Sequence, residues 1–158
     1  MTGRRLRIVS GGQSGVDRAA LDVAAARGLD YGGWCPRGGW AEDFPDPPGV
    51  LTKYPQLTET PDDDPSQRTR WNVRDADATL ILVASDIGVS AGAAFTLACA
   101  AALAKPHLVV DLRAADALRA AREWALQIAP ATLNVAGPRE SQSPGIYRAA
   151  RRLLEDLL

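Results

Sequence analysis

Apolar and polar positions along the chain alternate between two periods. Short unbroken apolar runs, the signature of strands covered on both faces, are separated by stretches whose apolar residues recur every three or four positions, as helices require. Leu6 to Val9 is the first such run, and Val16 to Arg27 follows with Val16, Ala20, Val23 and Ala24 on one face. Gly28 ends that helix as a left-handed stop. Further on, Asp64-Pro65-Ser66-Gln67 reads as a helix start, with an N-cap acid, proline at the first position and a capping-box glutamine. That helix is predicted to reach Asp75 and to align Asp64, Arg68 and Asn72 at four-residue spacing. Strands are predicted at Thr79 to Ala84 (TLILVA), Leu108 to Leu112 and Thr132 to Val135. Between and after them lie helices at Ala93 to Ala104, at Ala114 to Ala129 (Leu118, Ala121, Ala125 and Ile128 inward), and a last one opened by Ser143-Pro144. Its stripe is Ile146, Ala150, Leu153 and Leu157.

This alternation predicts an α/β fold, a doubly wound, mainly parallel sheet with helices on both faces, in a single domain over residues 1–158. One stretch breaks the rhythm. Tyr31 to Pro61 is dense in glycine and proline and is too long for an ordinary connection. It carries Trp34, Trp40 and Tyr54, and disordered segments are poor in aromatics, so a functional loop is expected there.

Charge and composition narrow the function classes. A formal net charge of -1 gives no footprint for a nucleic-acid backbone or an anionic membrane. No apolar run approaches the roughly 20 residues that span a bilayer, and the basic start, Met1 to Arg7, lacks a signal peptide's apolar region. Two cysteines, Cys35 and Cys99, and one histidine, His107, make neither a disulfide framework nor a zinc pattern. A cytoplasmic protein is the expectation.

In a doubly wound sheet, ligands sit beyond the carboxyl ends of the strands. Three of those ends carry unusual chemistry: Ser10 to Gly15, Ser85 to Gly92, and Ala136-Gly137-Pro138-Arg139-Glu140-Ser141. Glycines let a backbone approach a ligand, and the helix beginning at Val16 offers unpaired N–H groups and the positive end of its dipole. A phosphate is the natural guest. The first loop lacks both the lysine of a P-loop and the spacing of the dinucleotide fingerprint.

Each feature also has a structural reading. Glycine-rich turns are often only tight turns, and Asp17 with Arg18 makes a solvated ion pair as readily as a ligand contact. Arg68 and Asn72 fit an exposed helix face, Trp71 and Cys99 fit packing, and Trp124 fits a subunit interface. Cys35 has no neighbouring histidine to activate it, and His107 opens a strand.

Five segments in order carry a resemblance: "SGGQSGVDRAALD", "GGWCPRGGWAEDF", "YPQLTETP", "QRTRWNVRDADATLIL" and "NVAGPRESQSPGIY". The chain resembles, over nearly its whole length, the family of molybdenum cofactor carriers. That family is a branch of the Rossmann-like nucleotide-binding domains that include nucleotide phosphoribohydrolases related to the so-called lysine decarboxylases. The resemblance implies a Rossmann-like homo-oligomer, a tetramer, that holds molybdenum cofactor (molybdopterin) or a related pterin or nucleotide by its phosphate.

Carried over by position, the resemblance implies a ligand-binding role for Gly11, Gly12, Gln13, Ser14, Gly15, Asp17, Arg18, Arg68 and Asn72, and for the C-terminal loop Gly137, Pro138, Arg139, Glu140 and Ser141. Glu42 and Asp43 match the family's paired acids. Trp34 or Arg139 is expected to contact the pterin or base. Where the family has two glycines and a threonine, this chain has Ala91-Gly92-Ala93, so Ser90 beside Gly92 is the replacement hydroxyl. The related hydrolases place a glutamate a few residues into the helix after that loop. Here Gly92 to Cys99 holds no acid, and Thr96 stands at the comparable place. A carrier is therefore the leading expectation, with a phosphoribohydrolase using Glu42 or Asp43, or a nucleotide sensor, as alternatives.

Overall fold

A computed structural model describes residues 5–158; the basic start, Met1 to Arg4, lies outside them. Five parallel strands form the central sheet: β1 (Arg7–Val9), β2 (Asp30–Gly32), β5 (Ala78–Val83), β6 (His107–Asp111) and β7 (Thr132–Ala136). Their spatial order is β2-β1-β7-β5-β6. Helices α1 (Val16–Ala26), α4 (Ala117–Ile128) and α5 (Ile146–Leu157) pack on one face, and α2 (Pro65–Asp75) and α3 (Ala91–Ala102) on the other. The α/β Rossmann-like architecture expected from the sequence is present.

Strand β5 shows why its sequence is apolar throughout. Side chains alternate across a sheet, so Ala78, Leu80 and Leu82 enter the larger core with Val16, Val23, Leu133 and Leu154. Ile81 and Val83 face α3 with Ala93. Thr79 is also buried, and its hydroxyl accepts from the Asn134 amide at 3.3 Å. A strand burying all six of its residues has no position for an unpaired polar side chain.

The stretch from Tyr31 to Pro61 is more ordered than its composition predicts. It supplies most of β2, the two-residue pair β3 (Trp34–Cys35) and β4 (Thr58–Glu59), and two 3-10 turns, Arg37–Gly39 and Gly49–Thr52. Cys35, Ala41, Val50, Tyr54 and Leu57 form a small core with Leu21 of α1, which fixes the stretch against the main domain body.

Three helix starts differ from expectation, each for a local reason. Helix α3 starts two residues early because the Ser90 hydroxyl caps it, accepting from the Ala93 N–H at 3.3 Å. Helix α4 starts at Ala117, because Ala114 closes a turn with the N–H of Ala117 instead. Ser143-Pro144 does not cap α5. Gly145 precedes the helix, and the Glu140 carboxylate accepts from the N–H groups of Gly145 (2.5 Å) and Tyr147 (2.9 Å). In α2, Asp64 caps as expected, but Gln67 accepts from the N–H of Asp62 rather than closing the box on Asp64. Trp124 packs partly buried against the main core.

Candidate functional site

The strand order places β1, β7 and β5 side by side, so the three glycine-bearing loops predicted from sequence leave adjacent positions of one sheet edge. The loops after β1 and β7 touch directly. The N–H of Val16 donates to the Pro138 carbonyl at 3.3 Å. Gly15 has φ 79°, and a Cβ there would stand 2.4 Å from the same carbonyl. Gly137 is equally constrained, since a Cβ would fall 2.3 Å from the Leu82 carbonyl of β5. Helix α1 begins without a side-chain cap, so its first turn presents N–H groups toward this corner.

Glu42 joins the two loops into a wall. Its carboxylate accepts from the Ser14 hydroxyl, the Ser141 hydroxyl and the Ser141 N–H (3.1 Å). Ser14 in turn accepts from the Glu140 N–H at 3.1 Å. The Gln13 side-chain carbonyl accepts from the N–H groups of Ser14 (3.0 Å) and Glu42 (2.9 Å). Beside them Arg18, with its side chain only 8% exposed, makes a bidentate pair with Asp43 at 2.7 and 2.9 Å and donates to the Gly12 carbonyl. Burial alone would raise the Glu42 pKa, but the donors from Ser14 and Ser141 hold it below the usual range. Hydrogen bonds from Arg18 lower that of Asp43.

The structure thus gives Gln13, Ser14, Arg18, Glu140 and Ser141 structural partners where the sequence suggested ligand contacts. Their polar atoms connect loops and cap α5. Both candidate general acids, Glu42 and Asp43, are carboxylates held ionised by their donors. A general acid needs a proton to give near neutral pH, and neither acid has the raised pKa that would supply one.

On the other side of this wall lies a cleft at the strand ends, divided in two by Arg68. The inner compartment, 50 Å³, is lined by Gly11, Asp17, Asn72, Thr96, Asn134 and Gly137 among others. The outer one, 190 Å³, is lined by Gln13, Trp40, Ser90, Gly92, Arg139 and Gln142 among others. Arg68 lies so close over Gly11 that a Cβ there would meet its guanidinium. It donates to Asp17 at 2.9 Å, yet its Nε is buried without a partner. Burial drives the Asp17 carboxyl upward in pKa, with Arg68 opposing the shift. Arg139 is 37% exposed and stands 3.8 Å from Glu42, too far for a close hydrogen-bonded pair.

Other expected contacts separate. Asn72 lines the inner compartment, but its amide clamps the backbone of Trp34, accepting from its N–H at 2.7 Å and donating to its carbonyl at 2.9 Å. Trp34 itself is not in the cleft: its indole N–H donates to Asp75 at 2.7 Å and its ring meets Trp71 edge-on. The aromatic side chain in the outer compartment is Trp40. Sequence reading passed over it because two tryptophans six residues apart in a loop carry no periodicity that says which one faces a ligand. Ser90 is at the cleft as expected, but its hydroxyl already caps α3.

A larger cavity, 550 Å³, lies behind the wall between α1, α5 and the long loop. Its acids are all engaged within the fold. Asp22 accepts from the hydroxyls of Tyr54 and Tyr147 and faces Lys53 at 3.5 Å, Asp43 holds Arg18, and Glu140 caps α5. The smaller cleft is the better candidate, because it lies at the strand carboxyl ends and its Arg68 makes one hydrogen bond among the described residues, to Asp17. The Nε of Arg18, on the larger cavity, is likewise buried without a partner, but both terminal nitrogens of that side chain are already bonded to Asp43 and Gly12.

Cys35 and Cys99 are buried away from the cleft, with the Cys35 thiol pushed up to about 11 by burial. Among the described residues there is no cluster of three or more metal-ligating side chains, and no helix is long and apolar enough to cross a membrane.

Residues 8–158 match the family model described as the circularly permutated YpsA SLOG family. The chain is also similar to a crystal structure from Syntrophus aciditrophicus SB named "Putative molybdenum carrier protein". That similarity amounts to 40% identity over 98% of this chain and 96% of that one, with a TM-score of 0.89. Among curated proteins nothing matches.

Proposed function

The chain belongs to the circularly permutated YpsA SLOG family, and on that premise we propose that it is a binding and carrier protein for molybdenum cofactor or a closely related phosphate-bearing pterin or nucleotide. The observation that carries this reading is the strand-edge cleft, where Arg68 keeps a buried, unpartnered Nε between two compartments and Arg139 stands on the outer one. A phosphate satisfies guanidinium donors bidentately and suits the backbone N–H groups of a glycine loop and a helix start. The name of the similar structure, at 40% identity, supports the same choice.

The residues present fit the phosphate end of such a ligand: Arg68, Arg139 and the backbone around Gly11 and Gly92. A molybdenum held by the pterin's own dithiolene needs no protein ligand, so a cleft without cysteine or histidine is compatible with this cargo. The protein's part is to bind, orient and shield the ligand. The hydrolase alternative has less support, because Glu42 and Asp43 are ionised and bonded into the wall. Homo-oligomeric assembly in the cytoplasm belongs to the same proposal.

Native mass spectrometry of protein purified without oxygen, followed by identification of the released small molecule, tests it. A phosphorylated pterin or nucleotide is the expected outcome. A protein that carries neither, and takes up neither from a mixture, overturns the reading.

A further inference from the structure

We infer that Trp40 is the stacking platform for the ligand's ring, and that the ligand is of about mononucleotide size: one fused pterin- or purine-type ring system with a single phosphoryl group. The inference rests on the reading of the strand-edge cleft as a phosphate-holding site and adds the part that phosphate chemistry cannot specify.

Trp40 differs from the other three tryptophans in having no structural employment for its ring. Trp34 is bonded to Asp75, Trp71 lies under the Arg74 guanidinium, and Trp124 packs on the main core. The Trp40 ring is 37% exposed and makes no aromatic pair or side-chain hydrogen bond among the described residues. Its backbone is nonetheless fixed. The 3-10 turn at Arg37–Gly39 precedes it, and the Ala41–Phe44 bridge and the anchored Glu42 follow. A large apolar ring carried on a fixed backbone beside a polar cleft is an arrangement that binds heterocycles, since a tryptophan has only two side-chain torsions to order on stacking.

Its neighbours complete the recognition. Arg68 and Arg139 line the same compartment for the anionic end. Gln142 accepts only a long contact, 3.5 Å from Ser90, through its side-chain carbonyl, so its amide hydrogens are available to the edge of a ring. Size points the same way: compartments of 190 and 50 Å³ fall below the ~300–1,000 Å³ usual for drug-sized ligands, which suits one ring system and one phosphate inside the cleft.

Titration calorimetry with GMP, neopterin monophosphate and ribose 5-phosphate separates the ring from the phosphate. With the unmodified protein, at least one of the two ring-bearing ligands should bind about tenfold more tightly than ribose 5-phosphate. Trp40→Ala should remove that advantage and leave ribose 5-phosphate binding unchanged, while Trp40→Phe retains most of it. Equal affinity for all three probes, or a Trp40→Ala loss shared by ribose 5-phosphate, overturns the inference and leaves the phosphate site standing. If none of the three binds, the phosphate reading falls as well. A thermal melt of each variant shows whether it is folded, and the Phe variant carries the test if the Ala variant is not.

Discussion

The loops after β1 and β5 leave the same sheet edge, both glycine-bearing and both leading into a helix, yet they are built in opposite ways. The first is tied down at its polar side chains. Gln13, Ser14 and Arg18 are bonded to the 42–43 segment, and Gly15 is pressed against Pro138. The second has few ties. Ser90 caps α3, and a Cβ added at Gly88 or Gly92 would meet nothing within 4 Å. The residues that look most like ligand contacts build the wall, and the open backbone is at the loop with the plainer sequence.

The sharpest way to break this comparison is to place the same methyl group on each side. Gly15→Ala forces an alanine to φ 79° and drives its Cβ into a backbone carbonyl, and neither the strain nor the clash is relieved by a flexible side chain. A loss of about 3 kcal/mol is expected in urea unfolding, from strain and overpacking together. An undisturbed midpoint would mean that the loops after β1 and β7 are not in the contact described.

Glu42 tests whether the wall is an electrostatic construction. Glu42→Ala leaves the Ser14 and Ser141 hydroxyls without their acceptor and is expected to cost about 2 kcal/mol. The pH dependence has a definite sign. Hydrogen bonds hold the folded-state pKa of Glu42 below its ordinary value, and Arg18 does the same for Asp43. Each therefore contributes stability above its unfolded pKa that is lost as pH falls through the lower, folded one. Melting temperature should drop as pH is lowered below about 4, and Glu42→Gln should make that drop shallower. A variant with the same acid slope as the unmodified protein would remove Glu42 from the account.

The sequence made the frame legible and hid the allocation of roles. Strand β5 was readable because an unbroken TLILV run has only one comfortable place, between two helical layers. The three loops were readable because a parallel sheet puts ligands at strand ends, and the order β1-β7-β5 brings those ends together. The cap of α5 was misread at Ser143-Pro144 for a physical reason: the Glu140 carboxylate, five and seven residues ahead of two N–H groups, caps that helix through a turn that no fixed spacing announces. Strands β2, β3 and β4 have two or three residues each, too short for any period to register, and are set by pairing rather than propensity. Trp40 has the same difficulty, since its exposure depends on turns around it and not on its neighbours in sequence.

Arg139 sharpens the comparison from the ligand side. It is 37% exposed and only loosely associated with Glu42, so Arg139→Ala should change stability by less than about 0.5 kcal/mol. Under the proposed function, affinity for a phosphate-bearing ligand should fall about tenfold, the loss expected for one charge-assisted contact. Calorimetry beside a denaturation curve reads both. Loss of stability with affinity intact would assign Arg139 to the wall.

The smallest effect is expected at the second loop, and its sign is the informative part. Gly92 lies in the first turn of α3 with open space around it, so Gly92→Ala replaces a poor helix former by the best one without a clash. Stability should rise, by up to about 0.5–1 kcal/mol, in contrast to the loss at Gly15. If the ligand's phosphate approaches the α3 backbone there, the added methyl stands in its path and affinity falls although the fold is firmer. Opposite shifts in stability and binding from one methyl group would mark this loop as the open side of the cleft. A gain in stability with unchanged affinity would move the phosphate toward Arg68 and the glycines after β1.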